Sequence, residues 1–390
     1  MMGHNEQSVL LYPRSKKDMS PNPAATFKIF LKILQFSGHF PHTYDFQQLF
    51  ISPWGYYRSL IEPYTDFDLE DIFAILQACL TITCSLSSYV VIGINWKRVL
   101  AVLNQFQSLF LKLHPAEAAL DYTLLEKFQK KLILTSLYLT IISNTIFVAT
   151  SDGMEFVGLI FYYINEAHMM IMVWYFDSFA ILGSMLYRRI NFRVGHAVGL
   201  LRNFDSNDTY WDSHRTRKSK VCRSVLREIQ LLCYLHRKTH SAVQEISELF
   251  QFPALLAICY EFTLCISTIY YTYTSFVHDV RSGVANNYGA YGSSLFYMSC
   301  MANQFFLRGL FCEQLTRRAQ RTGVLLNEFI ESEIDDDVNQ CIEFFSLEML
   351  HHNYKVELFG LFSVDMSLIY QAVATMTGYL IIMVQVELSE

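Results

Sequence analysis

The sequence predicts an all-α membrane protein of seven transmembrane helices. Its N-terminus is cytoplasmic, its C-terminus extracellular, and the spans run on into a cytoplasmic helical bundle. Three observations carry this. First, of 390 residues 52% are hydrophobic and only 17% charged, whereas soluble domains carry about 25% charged residues. Second, the apolar residues gather into stretches of membrane-spanning length. Third, the basic residues fall on alternate sides of those stretches.

Six stretches approach or exceed the ~20 apolar residues that a spanning helix needs: residues 72–94, 131–150, 157–187, 252–273, 291–312 and 359–386. Residues 46–61, weaker because of Pro53, Gly55 and Arg58, are taken as the first span. A six-span arrangement is the alternative. Residues 27–36, apolar but broken by Lys28 and Lys32, read as an amphipathic interfacial helix. Residues 1–26 lack the apolar core of a signal peptide.

Orientation follows from charge. Arg and Lys are dense from Arg188 to Lys238, and recur at Lys97, Arg98, Lys112 and Lys127 and at Arg317, Arg318 and Arg321. The intervening stretches 62–71 and 151–156 hold no Lys or Arg, and 276–290 holds Arg281 alone. Basic segments stay in the cytoplasm, so these three lie inside with the basic N-terminus. That is the reverse of a G-protein-coupled receptor. The inner segments are also helical in pattern: Val99, Leu100, Val102, Leu103, Phe106, Leu109 and Phe110 follow one face, as do Val221, Val225, Ile229, Leu232 and Leu235.

Several function classes drop out. A net charge of −6 provides no electrostatic footprint for nucleic acid. No Walker loop, dinucleotide glycine pattern, HExxH or nucleophile elbow is present, so neither an enzyme nor a cofactor is expected. Cys233, His236 and His240 share a helical face, but no fourth ligand is visible and Arg237 and Lys238 flank them, so no metal is expected. None of the nine cysteines falls in an outer loop, so they read as packing residues. The sequon at Asn207 to Thr209 is placed inside, where it cannot be glycosylated.

Charged residues within spans face the bundle interior, because lipid does not solvate them. Glu166 and Asp177 share a face of the fourth span. Glu166 stands with Tyr162, Tyr163, Asn165 and His168 in a polar, aromatic cluster suited to a small-molecule pocket or to an interhelical hydrogen-bond network. Arg308 and Asp365, at similar depth in the last two spans, form a candidate gating or structural pair. Glu261 has no obvious partner. The last span mixes apolar runs with Ser363, Asp365, Ser367, Gln371, Thr375, Thr377 and Gln385, as a helix lining a watery path does.

Here the chain resembles the insect gustatory receptor family, relatives of the insect odorant receptors. The residues that carry the resemblance are 360–362 (Gly-Leu-Phe), Val364 and Asp365, 367–370 (Ser-Leu-Ile-Tyr), Tyr379, the apolar run 380–384 and Gln385. Gly378 stands where the family motif has Thr, and Val386 where it has Phe; the smaller Val386 would seal an outer gate less tightly. The resemblance implies a single chemoreceptor channel domain over 1–390. Residues 1–45 would be the cytoplasmic N-terminal segment, 46–312 spans one to six, 313–358 a cytoplasmic segment and 359–387 the pore-lining span.

It further implies a ligand-gated, non-selective cation channel subunit in the plasma membrane of sensory neurons, as a homo- or hetero-tetramer surrounded by lipid. Gln385, Val386, Ile382, Gln371 and Thr375 would line the pore and gate. A small extracellular tastant would bind in the outer half, where the candidates are Gln77, Tyr162, Tyr163, Glu166, Tyr270 and Tyr297. Leu380, at a position where sugar-sensing members tend to be acidic, leans towards a non-sugar ligand. The rival readings are an odorant-type tuning subunit that needs a co-receptor, a G-protein-coupled receptor, and a transporter, which would usually show internal repeats.

Overall fold

The computed structural model describes residues 69–113, 156–205, 213–282, 288–327 and 336–389, with positions 138 and 142. The expected first span, the interfacial helix, the span at 131–150 and the sequon at Asn207 lie outside the described residues. Among the described residues the elements are α1 (Leu69–Lys112), α2 (Phe156–Asp205), α3 (Ser213–Ser282), α4 (Tyr288–Asn327), α5 (Asp336–His351), β1 (Glu357–Leu358), β2 (Phe362–Ser363) and α6 (Met366–Ser389). Stretches of α1 (Ile75–Lys112), α3 (Ser219–Ser282) and α6 (Met366–Gln385) are each long and apolar enough to cross a membrane.

Each long helix joins an apolar half to a charged half. In α1 the two meet at Asn95, whose φ of −105° and ψ of 15° interrupt the helix just before Lys97 and Arg98. In α3 they meet near Pro253, which cannot donate a backbone hydrogen bond to the preceding turn. The two helices lie antiparallel over most of the length of α1. The contacts fall in order: Phe73 on Tyr271, Gln77 on Ser267, Arg98 on Glu245 and Gln105 on the Lys238 carbonyl. Helices α2 and α4 run parallel. Asn191 donates to the Arg318 carbonyl (2.7 Å), and Thr322 donates to Asn191 Oδ1 (2.5 Å).

The charged half holds the larger core. Val99, Val102, Leu103, Phe106, Leu109 and Phe110 of α1 are buried there, with Val225, Ile229, Leu232 and Leu235 of α3. An amphipathic helix buries such a stripe wherever it meets a neighbour. A smaller cluster sits in the apolar half: Cys84, Met169, Met170, Val173, Ala257, Tyr260, Leu264, Tyr297 and Met301.

The helix expected from residue 359 begins only at Met366. A two-residue hairpin precedes it, with Leu358 opposite Phe362 and Val364 N–H donating to the Val356 carbonyl at 2.8 Å. The cause is local. Phe359 and Gly360 take left-handed φ values of 53° and 67°, which a helix cannot continue through and which glycine adopts at little cost. Asp365 then starts α6 as its N-cap.

Candidate pore helix and the buried charges behind it

Helix α6 is positioned from its first turn. Asp365 Oδ1 accepts the backbone N–H groups of Ser367 (2.9 Å) and Leu368 (3.2 Å), and Ser363 Oγ donates to Oδ2 at 2.7 Å. These are the N2 and N3 amides that a helix otherwise leaves unsatisfied. Above the cap the helix leans on α3 and α4. It does so through one stripe: Ile369 and Ala372 are buried, and Met376, Leu380 and Met383 are half-buried. At Gly309 of α4 the approach is so close that a Cβ would stand 2.8 Å from Ile369 Cγ1.

The opposite face is open. Ser367, Gln371, Thr375, Gly378, Ile382 and Gln385 are all exposed. At about 100° per residue their steps of three and four keep them within about 40° of a common line, on the far side from the buried stripe. Four of the five expected pore residues (Gln371, Thr375, Ile382 and Gln385) therefore share one face. Val386 follows within the helix, its side chain outside the described residues.

The expected Arg308–Asp365 pair does not form. Arg308 is 1% exposed and donates to both Glu261 oxygens, Nη1 to Oε2 at 2.9 Å and Nη2 to Oε1 at 2.7 Å. Its Nε lies 3.6 Å from Asp177 Oδ1. Three helices, α2, α3 and α4, thus meet on one guanidinium. A planar fork matched to a carboxylate is the geometry in which a buried Arg is best compensated, and Asp365 is engaged at the cap instead. Glu261, unpartnered in the sequence reading, is the principal partner. Its spacing across the chain from Arg308 gave no local signal.

The proposed pocket residues separate into three groups. Gln77 Nε2 donates to Ser267 Oγ at 2.5 Å, linking α1 to α3, and Tyr270 is buried one turn beyond, its ring against Tyr271. Tyr297 is buried in the smaller cluster, its hydroxyl 3.5 Å from that of Tyr260. Tyr162, Tyr163 and Glu166 belong to α2, but their side chains lie outside the described residues. Sequence reasoning missed Met169, Met170, Tyr260 and Met301, which surround Tyr297. Trp174 packs against the same cluster, and its Nε1–H meets no hydrogen-bond acceptor among the described residues. Met301, four residues from Tyr297, was the available signal, and it reads equally well as ordinary packing.

Behind the hairpin, a cluster in the charged half grips the approach to α6. His236 is buried with its ring 4.8 Å from that of Tyr187 and 5.4 Å from Tyr354. His240 lies 5.0 Å from His352 and 4.9 Å from Tyr354. Burial pushes the His236 imidazole down to about 3, against a smaller opposing hydrogen bond to the Ala319 backbone. Burial, with His352 beside it, also lowers that of His240. Burial alone would raise Glu348, but the hydrogen bonds and charge of Arg237 outweigh it and hold the carboxyl below its ordinary range. Among the described residues no group of three metal-ligating side chains converges.

Known proteins share this fold. Two structures of the insect olfactory receptor OR5 from Machilis hrabei superpose on the chain. The one in complex with eugenol has a TM-score of 0.66 at 13% identity, covering 93% of this chain and 98% of that one. The other has a TM-score of 0.65 at 12% identity, covering 94% and 100%. In sequence, a Drosophila melanogaster protein with the provisional name gustatory receptor 94a is 23% identical over 55% of this chain and 53% of its own length. The Drosophila melanogaster gustatory receptor for bitter taste 66a is 21% identical over 42% of this chain and 31% of its own length. The matched region thus spans about half or less of these two relatives. The family described as 7tm Chemosensory receptor matches residues 29–390, and the chain belongs to that family of membrane receptors.

Proposed function

We propose that the protein is a gustatory receptor: a subunit of a ligand-gated, non-selective cation channel that detects small extracellular tastants. As a member of a receptor family it is not an enzyme. The observation that carries the reading is the two-faced character of α6. One narrow stripe is buried against α3 and α4, and the opposite polar line from Ser367 to Gln385 is uncovered. Lipid is a poor solvent for Gln371, Thr375 and Gln385. Four copies arranged around an axis would turn that face onto a shared aqueous path, with Gln385 and Val386 at the outer gate.

The remaining parts follow from that placement. Seven spans put the N-terminus and the charged half inside and the C-terminus outside, in the plasma membrane of a sensory neuron. The ligand site lies in the outer half, around Gln77, Tyr270 and Tyr297 with Tyr162, Tyr163 and Glu166. The Met- and Tyr-rich surroundings favour an apolar or aromatic ligand over a sugar, whose many hydroxyls would need partners. The unpaired Trp174 N–H offers such a ligand one donor. Binding opens the pore by favouring the arrangement of α6 to which the ligand binds more tightly.

The test is to express the chain alone and record current under a panel of bitter and sugar compounds. Ligand-evoked cation current whose block or reversal potential changes in Gln385→Ala is expected. A surface-expressed chain that passes no current by itself and conducts only beside a co-receptor would favour the odorant-type subunit. An intracellular C-terminal tag, or glycosylation at Asn207, would overturn the topology and the channel reading with it.

A further inference from the structure

The charged half of α3 carries a groove that the channel reading leaves unused. Lys220, Arg223, Ser224, Arg227, Glu228 and Leu231 line a cavity of about 460 Å³. The three cations recur at three- and four-residue steps and so share a helix face. All three are exposed, while Cys222, Val225 and Ile229 turn the other way into the core. The acidic lining residue is already engaged: Arg193 of α2 donates from Nε to Glu228 Oε1 at 2.6 Å. Among the described residues, no carboxylate lies within ion-pair distance of Lys220, Arg223 or Arg227. Within α3 itself, no Asp or Glu occurs between its start at Ser213 and Glu228.

We propose that this groove is a regulatory site for a soluble organic polyphosphate, of the nucleoside triphosphate or inositol polyphosphate class. Lys220 and Arg227 are about 10 Å apart along the helix, too far for one phosphate to meet both and suited to several phosphates on one molecule. Arg223 and Arg227 supply planar forks for phosphate oxygens, Lys220 a point charge and Ser224 a hydroxyl donor. Leu231 closes one end with an apolar surface.

A lipid headgroup fits less well. From Arg227 to Phe252, where the apolar stretch of α3 begins, the helix advances about 37 Å, several times the ~8 Å over which charge is felt at physiological salt. Exposed Arg237, Lys238 and Glu248 along the way mark that length as water-facing. This exclusion rests on the reading that the charged half is cytoplasmic; binding to the purified protein does not.

The experiment uses the full chain, purified and reconstituted in phosphatidylcholine nanodiscs, titrated with ATP and with inositol hexakisphosphate by calorimetry. Saturable binding of one ligand per chain is expected, weakening with salt. It should fall about tenfold in Arg223→Gln and again in Arg227→Gln, because a charge-assisted hydrogen bond carries that much. Lys238→Gln, an exposed cation outside the groove, should bind as the parent does. Equal losses in Lys238→Gln would show diffuse charge attraction and overturn the site. So would binding seen only when phosphatidylinositol bisphosphate is in the nanodisc. The absence of binding by monodisperse parent protein would also overturn it, and is what occupancy by the chain's own acidic run at Glu328, Glu331, Glu333 and Asp335 would produce. None of these outcomes depends on whether the protein conducts current.

Discussion

Arg308 of α4 and Glu261 of α3 form a two-point ion pair, both partners about 1% exposed, with Asp177 of α2 at its edge. The pair welds together the helices against which α6 leans. Removing one member leaves a buried charge without compensation, which typically costs about 3–5 kcal/mol. Arg308→Met and Glu261→Gln should each abolish surface expression or lower the melting temperature sharply. Replacing the whole group, Arg308→Met with Glu261→Leu and Asp177→Asn so that no buried carboxylate is left behind, should recover much of the loss, since apolar packing can replace a buried pair. Thermal unfolding in detergent checks both, and equal damage in the single and combined variants would contradict the pairing.

Asp365 gives a cleaner discrimination, because its role depends on shape and not on charge. As an N-cap it should tolerate Asp365→Asn, whose side-chain oxygen can accept the same two amides, whereas Asp365→Ala should cost about 1 kcal/mol. A gating partner of Arg308 would instead lose as much with Asn as with Ala. Unfolding measurements on the two variants separate these outcomes.

Much of this architecture was legible in the sequence, and the reason is periodicity. The stripes from Val99 to Phe110 and from Val225 to Leu235 repeat at helical spacing, so their burial follows from local pattern. The exposed polar line of α6 was legible for the same reason: Gln371, Thr375 and Gln385 are anomalous within an apolar run. Relations between helices were not. Nothing near Arg308 points 47 residues back to Glu261. The hairpin before α6 also escaped, because its residues are as apolar as the helix that follows and only the positive φ at Phe359 and Gly360 separates them.

Gly309 is predicted to control how closely α6 sits. A Cβ there would meet Ile369 Cγ1 at 2.8 Å and the Asp365 carbonyl at 3.2 Å. The second contact is backbone and cannot rotate away. Gly309→Ala should therefore push the first turn of α6 outward, costing about 1–3 kcal/mol as overpacking does. Adding Ile369→Val should restore part of the stability but not all. If Gly309→Ala alone is neutral in thermal unfolding, the close approach is not a constraint.

Acid should loosen the grip on the segment leading into α6. His236 and His240 face His352 and Tyr354, with Tyr187 on α2, Cys233 and Arg237 on α3, and Glu348 on α5 around them. Both imidazoles are held below their ordinary value of 6.5, His236 at about 3. The unfolded chain therefore takes up protons below pH 6.5 that the folded chain refuses. Stability is full above that pH and is lost as pH falls towards 3, at up to about 1.4 kcal/mol per pH unit for His236, with His240 adding loss in the same direction. Glu348, held below its ordinary value of 4.5, adds its own loss only once the pH drops beneath that. Between about pH 6.5 and 4.5 the histidines act without it. His236→Phe keeps a ring against Tyr187 and Tyr354 and removes one titrating group. Its melting temperature should decline less steeply with acid than the parent's, and parallel declines would exclude His236 as the proton-linked residue.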